Sequence, residues 1–178
     1  MTIGRIGRIA ILVSVAVLLF ALVSPGGGRS SVPKATPHSG ANDRHCVPVG
    51  GMLMTNFGAI DANTTMGVAT GDLRGAVSGT LLGAPQPGAG GTLVFHVQHH
   101  WVTDSGDTLT FDTAVATTAQ VQNSQTLFAV VTYPVHISGG TGKFAGAIGD
   151  IKNIGEVDLA GQATVFRYSG QVCFADQD

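Results

Sequence analysis

Short runs that alternate between apolar and polar residues, separated by turn signals, limit this chain most strongly to β structure. The clearest run is TLVFHVQHHWV at Thr92–Val102, where residues two apart lie on the same face of a strand. The segment TDSGD follows as a hairpin turn, and Thr108–Ala116 returns from it. Because no helical periodicity interrupts the pattern between Cys46 and Cys173, the sequence predicts an all-β domain.

About eight such runs follow one another at short spacing, which predicts an eight-stranded antiparallel β-barrel, because closure leaves no unpaired strand edge. Few charged residues, 11% of the chain, and as many as 26 glycines agree with a strand-rich domain that has many turns. Residues 83–91 (GAPQPGAGG) are predicted as a loop. The predicted strands are Gly51–Phe57, Met66–Asp72, Ala76–Leu82, Thr92–Val102, Thr108–Ala116, Leu127–Ile137, Ala147–Leu159 and Gln162–Phe174.

The N-terminal part of the chain is typical of an export signal. Arg5 and Arg8 precede the apolar run Ile9–Val23, which is shorter than the roughly 20 residues of a membrane-spanning helix. Residues 1–24 are therefore predicted as a signal peptide or, alternatively, as an uncleaved N-terminal anchor, which would be the only membrane contact. Residues 25–45 read as a flexible linker and 46–178 as the barrel domain. The protein is expected to be secreted or to lie in the periplasm or cell envelope.

Net charge limits the kinds of partner that the protein can bind, and the cysteine content indicates a disulfide. Residues 1–24 hold two of the nine basic residues and none of the eleven acidic ones, so the remaining chain has a net charge of about −4. No positive surface for phosphates is predicted, and a nucleic-acid partner is not expected. Cys46 and Cys173 lie near the two ends of the domain and are predicted to form a disulfide, the alternative being two buried free thiols.

A glycine-rich stretch, ISGGTGKFAGAIGD at residues 137–150, resembles a phosphate-binding loop at first sight. A phosphate loop needs glycine five residues before Gly142 and serine or threonine after Lys143, and the chain has Ile137 and Phe144 there. The following residues alternate like a strand, whereas a phosphate loop opens a helix. The glycines are therefore predicted to allow unusual backbone angles or close strand approach. They are Gly139, Gly140, Gly142 and Gly146.

The same glycine stretch resembles the signature of the allene oxide cyclase–like barrel superfamily, which includes plant dirigent proteins and exported bacterial proteins. The hairpin HHWVTDSGDTLTFD (His99–Asp112) and the ending YSGQVC (Tyr168–Cys173) are similar to the bacterial branch. The resemblance implies an eight-stranded, calycin-like antiparallel barrel and, from the plant members, a homotrimer. Its enzymes cyclise an unstable epoxide, and its dirigent members steer the coupling or cyclisation of phenolic compounds.

Face alternation on the central hairpin predicts which side chains line the barrel lumen. Leu93, Phe95, Val97, His99 and Trp101 share the more apolar face, and Leu109, Phe111, Thr113 and Val115 are predicted to face them. Tyr133 is predicted to share one face of its strand with Leu127, Ala129, Val131 and Val135. Apolar walls with a few polar groups are typical of ligand pockets, although barrels of this size can also be filled by side chains. The predicted ligand-binding residues are Phe95, Val97, His99, Trp101, Phe111 and Tyr133.

The histidines and carboxylates offer few candidates for chemistry. His99 and Asp72 are the best candidates for a catalytic group, with a turn-capping role as the alternative for Asp72. His96 and His100 share the outer face about 13 Å apart, which is too far for one tetrahedral metal site. No metal and no cofactor are predicted.

Taken together, these features predict a dirigent-like barrel that holds or orients a small apolar or aromatic ligand. The first alternative is an isomerase or cyclase that acts on an apolar substrate. The second is a structural surface protein whose barrel is filled by side chains.

Overall fold

A computed structural model describes residues 44–58 and 60–175, and nearly all of this part of the chain is in strands and turns. Three single 3₁₀ turns, Gly71–Leu73, Ala89–Gly91 and Gly142–Phe144, connect strands. None of the helices in the described ranges is long and apolar enough to cross a membrane. The strands are β1 His45–Phe57, β2 Thr64–Ala69, β3 Gly75–Leu81, β4 Gln86–Pro87, β5 Leu93–Thr103, β6 Thr108–Phe111, β7 Ala114–Gln120, β8 Leu127–Thr132, β9 Pro134–Gly140, β10 Ile148–Asp158 and β11 Ala163–Phe174.

All strand pairs are antiparallel, and they close into a ring of eight strand positions. The first five positions are β11, β1, β2, β3 and β5. The sixth position is divided between β6 and β7, and the seventh between β9 and β8. The eighth is β10, which pairs with β11 and closes the ring. The predicted barrel-like, all-β fold is thereby confirmed. Two predicted strands, Thr108–Ala116 and Leu127–Ile137, are each broken in the middle.

The break between β6 and β7 changes which residues face inward. Leu109 and Phe111 are buried as predicted, but Thr113 and Val115 are exposed, and the prediction that they face the lumen is wrong. Ala114 is buried instead. Asp112 and Thr113, between β6 and β7, are two consecutive exposed residues, and the alternation reverses across them.

The same inversion occurs between β8 and β9. Tyr133 and Val135 are buried, but Val131 is 56% exposed, and the inner residues of β8 are Phe128 and Val130. The predicted grouping of Tyr133 with Leu127, Ala129 and Val131 is therefore wrong. The register of β7 against β8 shifts after Thr117, and the alternation reverses before Tyr133, which lies between the end of β8 and the start of β9.

Two turns of similar sequence close one end of the barrel. Thr70–Gly75 reads TGDLRG and Thr141–Gly146 reads TGKFAG, and each inserts one buried apolar side chain, Leu73 or Phe144. Gly142 has a φ of 56°, a conformation that favours glycine, and a Cβ at Gly140 would collide with the carbonyl oxygen of Thr108. The stretch that resembles a phosphate loop is thus part of the closed end of the barrel.

A disulfide joins the two terminal strands at this closed end. Cys46 on β1 lies opposite Cys173 on β11 in the strand register, and their Sγ atoms are 2.04 Å apart. The predicted disulfide is confirmed, and such bonds are typical of an oxidising compartment. The predicted signal or anchor at 1–24 and all but the last two residues of the linker lie outside the described residues, and His45 already belongs to β1.

Candidate functional site

A cavity of about 410 Å³ occupies the end of the barrel opposite the disulfide. The connections β1–β2, β3–β5, β7–β8 and β10–β11 lie at this end, and residues from it, such as Ala62, Pro85 and Gln162, line the cavity mouth. Among the described residues, the lining contains no aspartate, glutamate, lysine or arginine. The lumen is therefore hollow toward one end, and the part of its wall that the described residues form carries no side chain that is charged at every physiological pH.

Five of the six predicted ligand-binding residues line this cavity. The sixth, Phe111, is buried behind the wall, with its ring centroid 5.7 Å from that of His99 and 6.0 Å from that of Trp101. Phe111 lies at the end of β6, which pairs with β9, and it is not among the residues that line the cavity. The lining residues from the prediction are Phe95, Val97, His99, Trp101 and Tyr133.

Trp101 forms the floor of the cavity and is held rigidly. Its side chain is 2% exposed, and its indole Nε1 donates a hydrogen bond of 2.7 Å to the carbonyl oxygen of Leu73. The ring packs edge-on against Tyr168 at a centroid distance of 5.5 Å. The Tyr168 hydroxyl in turn accepts from Leu73 N at 2.9 Å and donates to Thr70 O at 2.8 Å. The closed end is thus filled, and the cavity begins above Trp101.

His99 and Tyr133 form the main polar feature of the cavity wall. Nε2 of His99 lies 2.7 Å from the Tyr133 hydroxyl oxygen. Burial lowers the pKa of His99 from 6.5 to about 4, because a charged imidazole would lose its hydration without gaining an anion. Burial also raises the pKa of Tyr133 well above its ordinary value of 10.0. Both side chains are therefore uncharged at neutral pH.

Asn153 on β10 holds Tyr133 at the break between β8 and β9. Its backbone N–H donates to the carbonyl oxygen of Tyr133 at 3.0 Å, and its side-chain Nδ2 lies 3.4 Å from the same oxygen. Asn153 is 3% exposed. The sequence prediction missed this residue, although an asparagine in phase with Ile151 on an alternating strand is a detectable signal of a buried polar contact.

Asp72 does not face the cavity. It lies in the 3₁₀ turn at the closed end, and its carboxylate accepts a hydrogen bond of 2.8 Å from the backbone N–H of Gly50. Asp72 therefore takes the turn-holding role that was its alternative reading, and the catalytic role finds no support in its position. Of the two predicted catalytic candidates, His99 alone lines the cavity.

The other histidines of the described residues are exposed. His96 and His100 are exposed on the outer face of β5, and His136 Nδ1 lies 2.9 Å from an Asp150 carboxylate oxygen on the outer surface. Across residues 44–58 and 60–175, no three histidine, cysteine, aspartate or glutamate side chains come together as a metal site.

Threonines in the cavity wall differ in whether their hydroxyls are paired. The hydroxyls of Thr55 and Thr164 lie 2.7 Å apart and bond to each other, whereas the buried Thr118 hydroxyl has no partner among the described residues.

We expect Thr118→Val to leave the free energy of unfolding unchanged or to raise it, because an isosteric methyl group replaces an unsatisfied hydroxyl. Thr55→Val, the matched control, should lower it by about 1 kcal/mol. Urea unfolding measures both, and a larger loss in Thr118→Val than in Thr55→Val would contradict the pairing described here.

Comparison with known proteins gives structural likeness alone. No family model matches the chain, and no curated protein matches it. Among solved structures, the chain is similar to the pterocarpan synthase dirigent protein GePTS1, with 16% identity over 82% of this chain and 98% of that one and a TM-score of 0.34. It is also similar to the pterocarpan synthase dirigent protein PsPTS1, with 12% identity over 75% and 97% and a TM-score of 0.32. The fold assignment rests on the strand pairing described above.

Proposed function

We propose that this protein is an exported small-molecule-binding barrel that holds an uncharged, apolar or aromatic ligand in its lumen. The observation that carries the proposal is the cavity of about 410 Å³. Its wall is largely apolar and, among the described residues, contains no aspartate, glutamate, lysine or arginine side chain. A concave, mainly apolar site with a few polar groups is the usual form of a small-molecule pocket.

The chemistry of the wall favours a neutral ligand. A carboxylate or ammonium group that entered the cavity would lose its hydration and find no opposite charge, since His99 is neutral at physiological pH. An apolar ligand gains about 25 cal/mol for each Å² of its surface that leaves water. Aromatic rings in the wall, those of Phe95, Trp101 and Tyr133 among them, favour flat or aromatic molecules.

An isomerase or cyclase is the second candidate function, and the His99–Tyr133 contact in the cavity favours it. A neutral imidazole and an un-ionised phenol that touch each other are able to move a proton at a bound substrate. A ligand carrier needs affinity alone, whereas an enzyme would lose turnover and keep affinity when His99 is replaced.

The disulfide supports the export that the proposal includes. The homo-oligomer implied by the family resemblance stays a prediction, and sedimentation velocity would test it.

A cavity-filling substitution tests the proposed binding site. Ala116 on β7 is 5% exposed and lines the cavity, and its neighbour Val115 is 41% exposed on the outer face of the same strand. We expect Ala116→Phe to weaken binding of the neutral probe N-phenyl-1-naphthylamine at least about tenfold, because the added ring occupies the site. Val115→Phe should bind as the wild type does. Probe fluorescence and the emission of Trp101, the only tryptophan of the chain, measure the affinity.

Val130→Phe provides a second obstruction, from the neighbouring strand β8, if Ala116→Phe does not fold. Wild-type protein that binds no neutral probe, or binding that survives both substitutions in folded protein, would overturn the proposal. Saturable quenching of Trp101 by the probe would support it, since Trp101 forms the floor of the cavity.

A further inference from the structure

We propose that Tyr133 donates its hydroxyl hydrogen to an oxygen atom of the ligand and that His99 fixes it in this role. The cavity would then select an apolar molecule with a neutral hydrogen-bond acceptor, such as a ketone or an ester carbonyl. This inference rests on the proposed function, because it names the ligand class of the same cavity. It concerns the direction of one hydrogen bond, between His99 and Tyr133.

Two hydrogen arrangements satisfy the 2.7 Å contact between His99 Nε2 and the Tyr133 hydroxyl. In the first, Tyr133 donates to Nε2, and the neutral imidazole carries its hydrogen on Nδ1. In the second, Nε2 carries the hydrogen and donates to the Tyr133 oxygen, so Nδ1 is bare. The first arrangement uses up the only hydrogen of the tyrosine, and the second leaves that hydrogen free.

The surroundings of His99 Nδ1 favour the second arrangement. Nδ1 is buried and has no hydrogen-bond partner among the described residues. An N–H group buried without an acceptor is rarer in proteins than an acceptor that lacks a donor. Hydrogen therefore belongs on Nε2, where an acceptor is available, and Nδ1 keeps a lone pair.

In this arrangement Tyr133 offers its hydroxyl hydrogen to the cavity that it lines. Within the described part of the chain, His99 Nε2 is the one group that bonds to the Tyr133 hydroxyl. Burial keeps the phenol un-ionised, so it remains a donor throughout the physiological pH range. Asn153 holds the Tyr133 backbone from the neighbouring strand, and the donor is therefore fixed in position.

Other hydroxyls of the cavity wall fit this assignment less well. Those of Thr55 and Thr164 bond to each other, and the hydroxyl of Thr65 donates to the carbonyl oxygen of Gly79. Thr118 is the rival donor, because its hydroxyl is unpartnered. The test must therefore separate Tyr133 from Thr118.

A matched pair of neutral probes isolates the proposed hydrogen bond. 2-Acetylnaphthalene carries a carbonyl group, and 2-ethylnaphthalene has nearly the same shape without it. Both are measured by displacement of N-phenyl-1-naphthylamine. We expect Tyr133→Phe to weaken 2-acetylnaphthalene binding by about 3- to 10-fold and to leave 2-ethylnaphthalene binding unchanged, because one neutral hydrogen bond is lost. Thr118→Val, which removes the rival hydroxyl from the same wall, should leave the ratio of the two affinities unchanged.

Two spectroscopic measurements keep the test decisive if Tyr133→Phe is unstable. A ¹⁵N correlation spectrum of the wild-type protein shows which nitrogen of His99 carries hydrogen, and we expect Nε2. Infrared spectra of 2-acetylnaphthalene bound to the wild-type protein should show the carbonyl stretch at lower wavenumber than spectra of the same compound in hexane, where the carbonyl has no hydrogen-bond donor.

The outcomes separate this inference from the proposed function. Hydrogen on Nδ1 of His99, or equal loss of both probes in Tyr133→Phe, would overturn the donor role of Tyr133 while binding itself stands. Selective loss of 2-acetylnaphthalene in Thr118→Val, with Tyr133→Phe unaffected, would assign the donor to Thr118 and also overturn it. Failure of both probes to bind the wild-type protein would instead refute the proposed function.

Discussion

Replacing Cys46 and Cys173 together by alanine is expected to lower the free energy of unfolding by about 2–5 kcal/mol. The disulfide joins residues 127 positions apart, so it closes almost the whole described domain into one loop. Crosslinks that close long loops restrict the unfolded chain most, and the chain-entropy model gives about 5 kcal/mol for a loop of this length. Guanidinium unfolding of the double variant and of the wild-type protein measures the difference.

Reductant provides the control for the disulfide prediction. Wild-type protein unfolded in the presence of dithiothreitol should approach the stability of the double variant, and the double variant itself should not respond to dithiothreitol. Equal stability of wild type and variant without reductant would mean that strain in the folded protein cancels the entropic gain, contrary to our expectation.

When the pH is lowered from 6.5 to 4, the free energy of unfolding of the wild-type protein is expected to fall by up to about 3 kcal/mol more than that of the His99→Gln variant. The folded pKa of His99 is about 4 and its ordinary value is 6.5. Between these values the unfolded chain binds a proton that the folded chain rejects, so acid favours unfolding. The contribution is complete above pH 6.5, falls as the pH approaches 4, and changes no further below it.

His100→Gln is the matched control for this pH dependence. His100 follows His99 on β5, but its side chain is exposed on the outer face. We expect the stability of His100→Gln to follow the wild-type pH profile, displaced by a constant at most. If the profiles of wild type and His99→Gln run parallel between pH 6.5 and 4, His99 titrates normally and is not buried beside Tyr133 as described.

Local patterns in the sequence were sufficient for most of the fold. Alternation in Thr92–Val102 identified β5 and its inner face correctly, because every second side chain of an uninterrupted strand points the same way. Cys46 and Cys173 could be paired because they are the only cysteines in the chain. The glycine stretch was assigned to architecture, since its spacing fits neither phosphate-binding pattern.

Prediction failed where a strand is interrupted. Thr113, Val115 and Val131 were placed inside because alternation was extended through β6–β7 and β8–β9 without a break. The alternation reverses at the two breaks, after Phe111 and before Tyr133, and nothing in the run of residues itself marks the position of either break. The distances of Phe111 and Asp72 from the cavity could not be predicted for a related reason, since they depend on strands far away in sequence.

The sequence by itself determined the strand class, the disulfide, the architectural role of the glycines and the inner face of β5, because each depends on residue type and local spacing. Only the tertiary structure decided that the lumen is filled at the end near Trp101 and hollow beyond it. Only the structure brought His99 and Tyr133, 34 positions apart, within 2.7 Å of each other. Closure of the barrel sets both features, and the packing of side chains from distant strands is not encoded in any single segment.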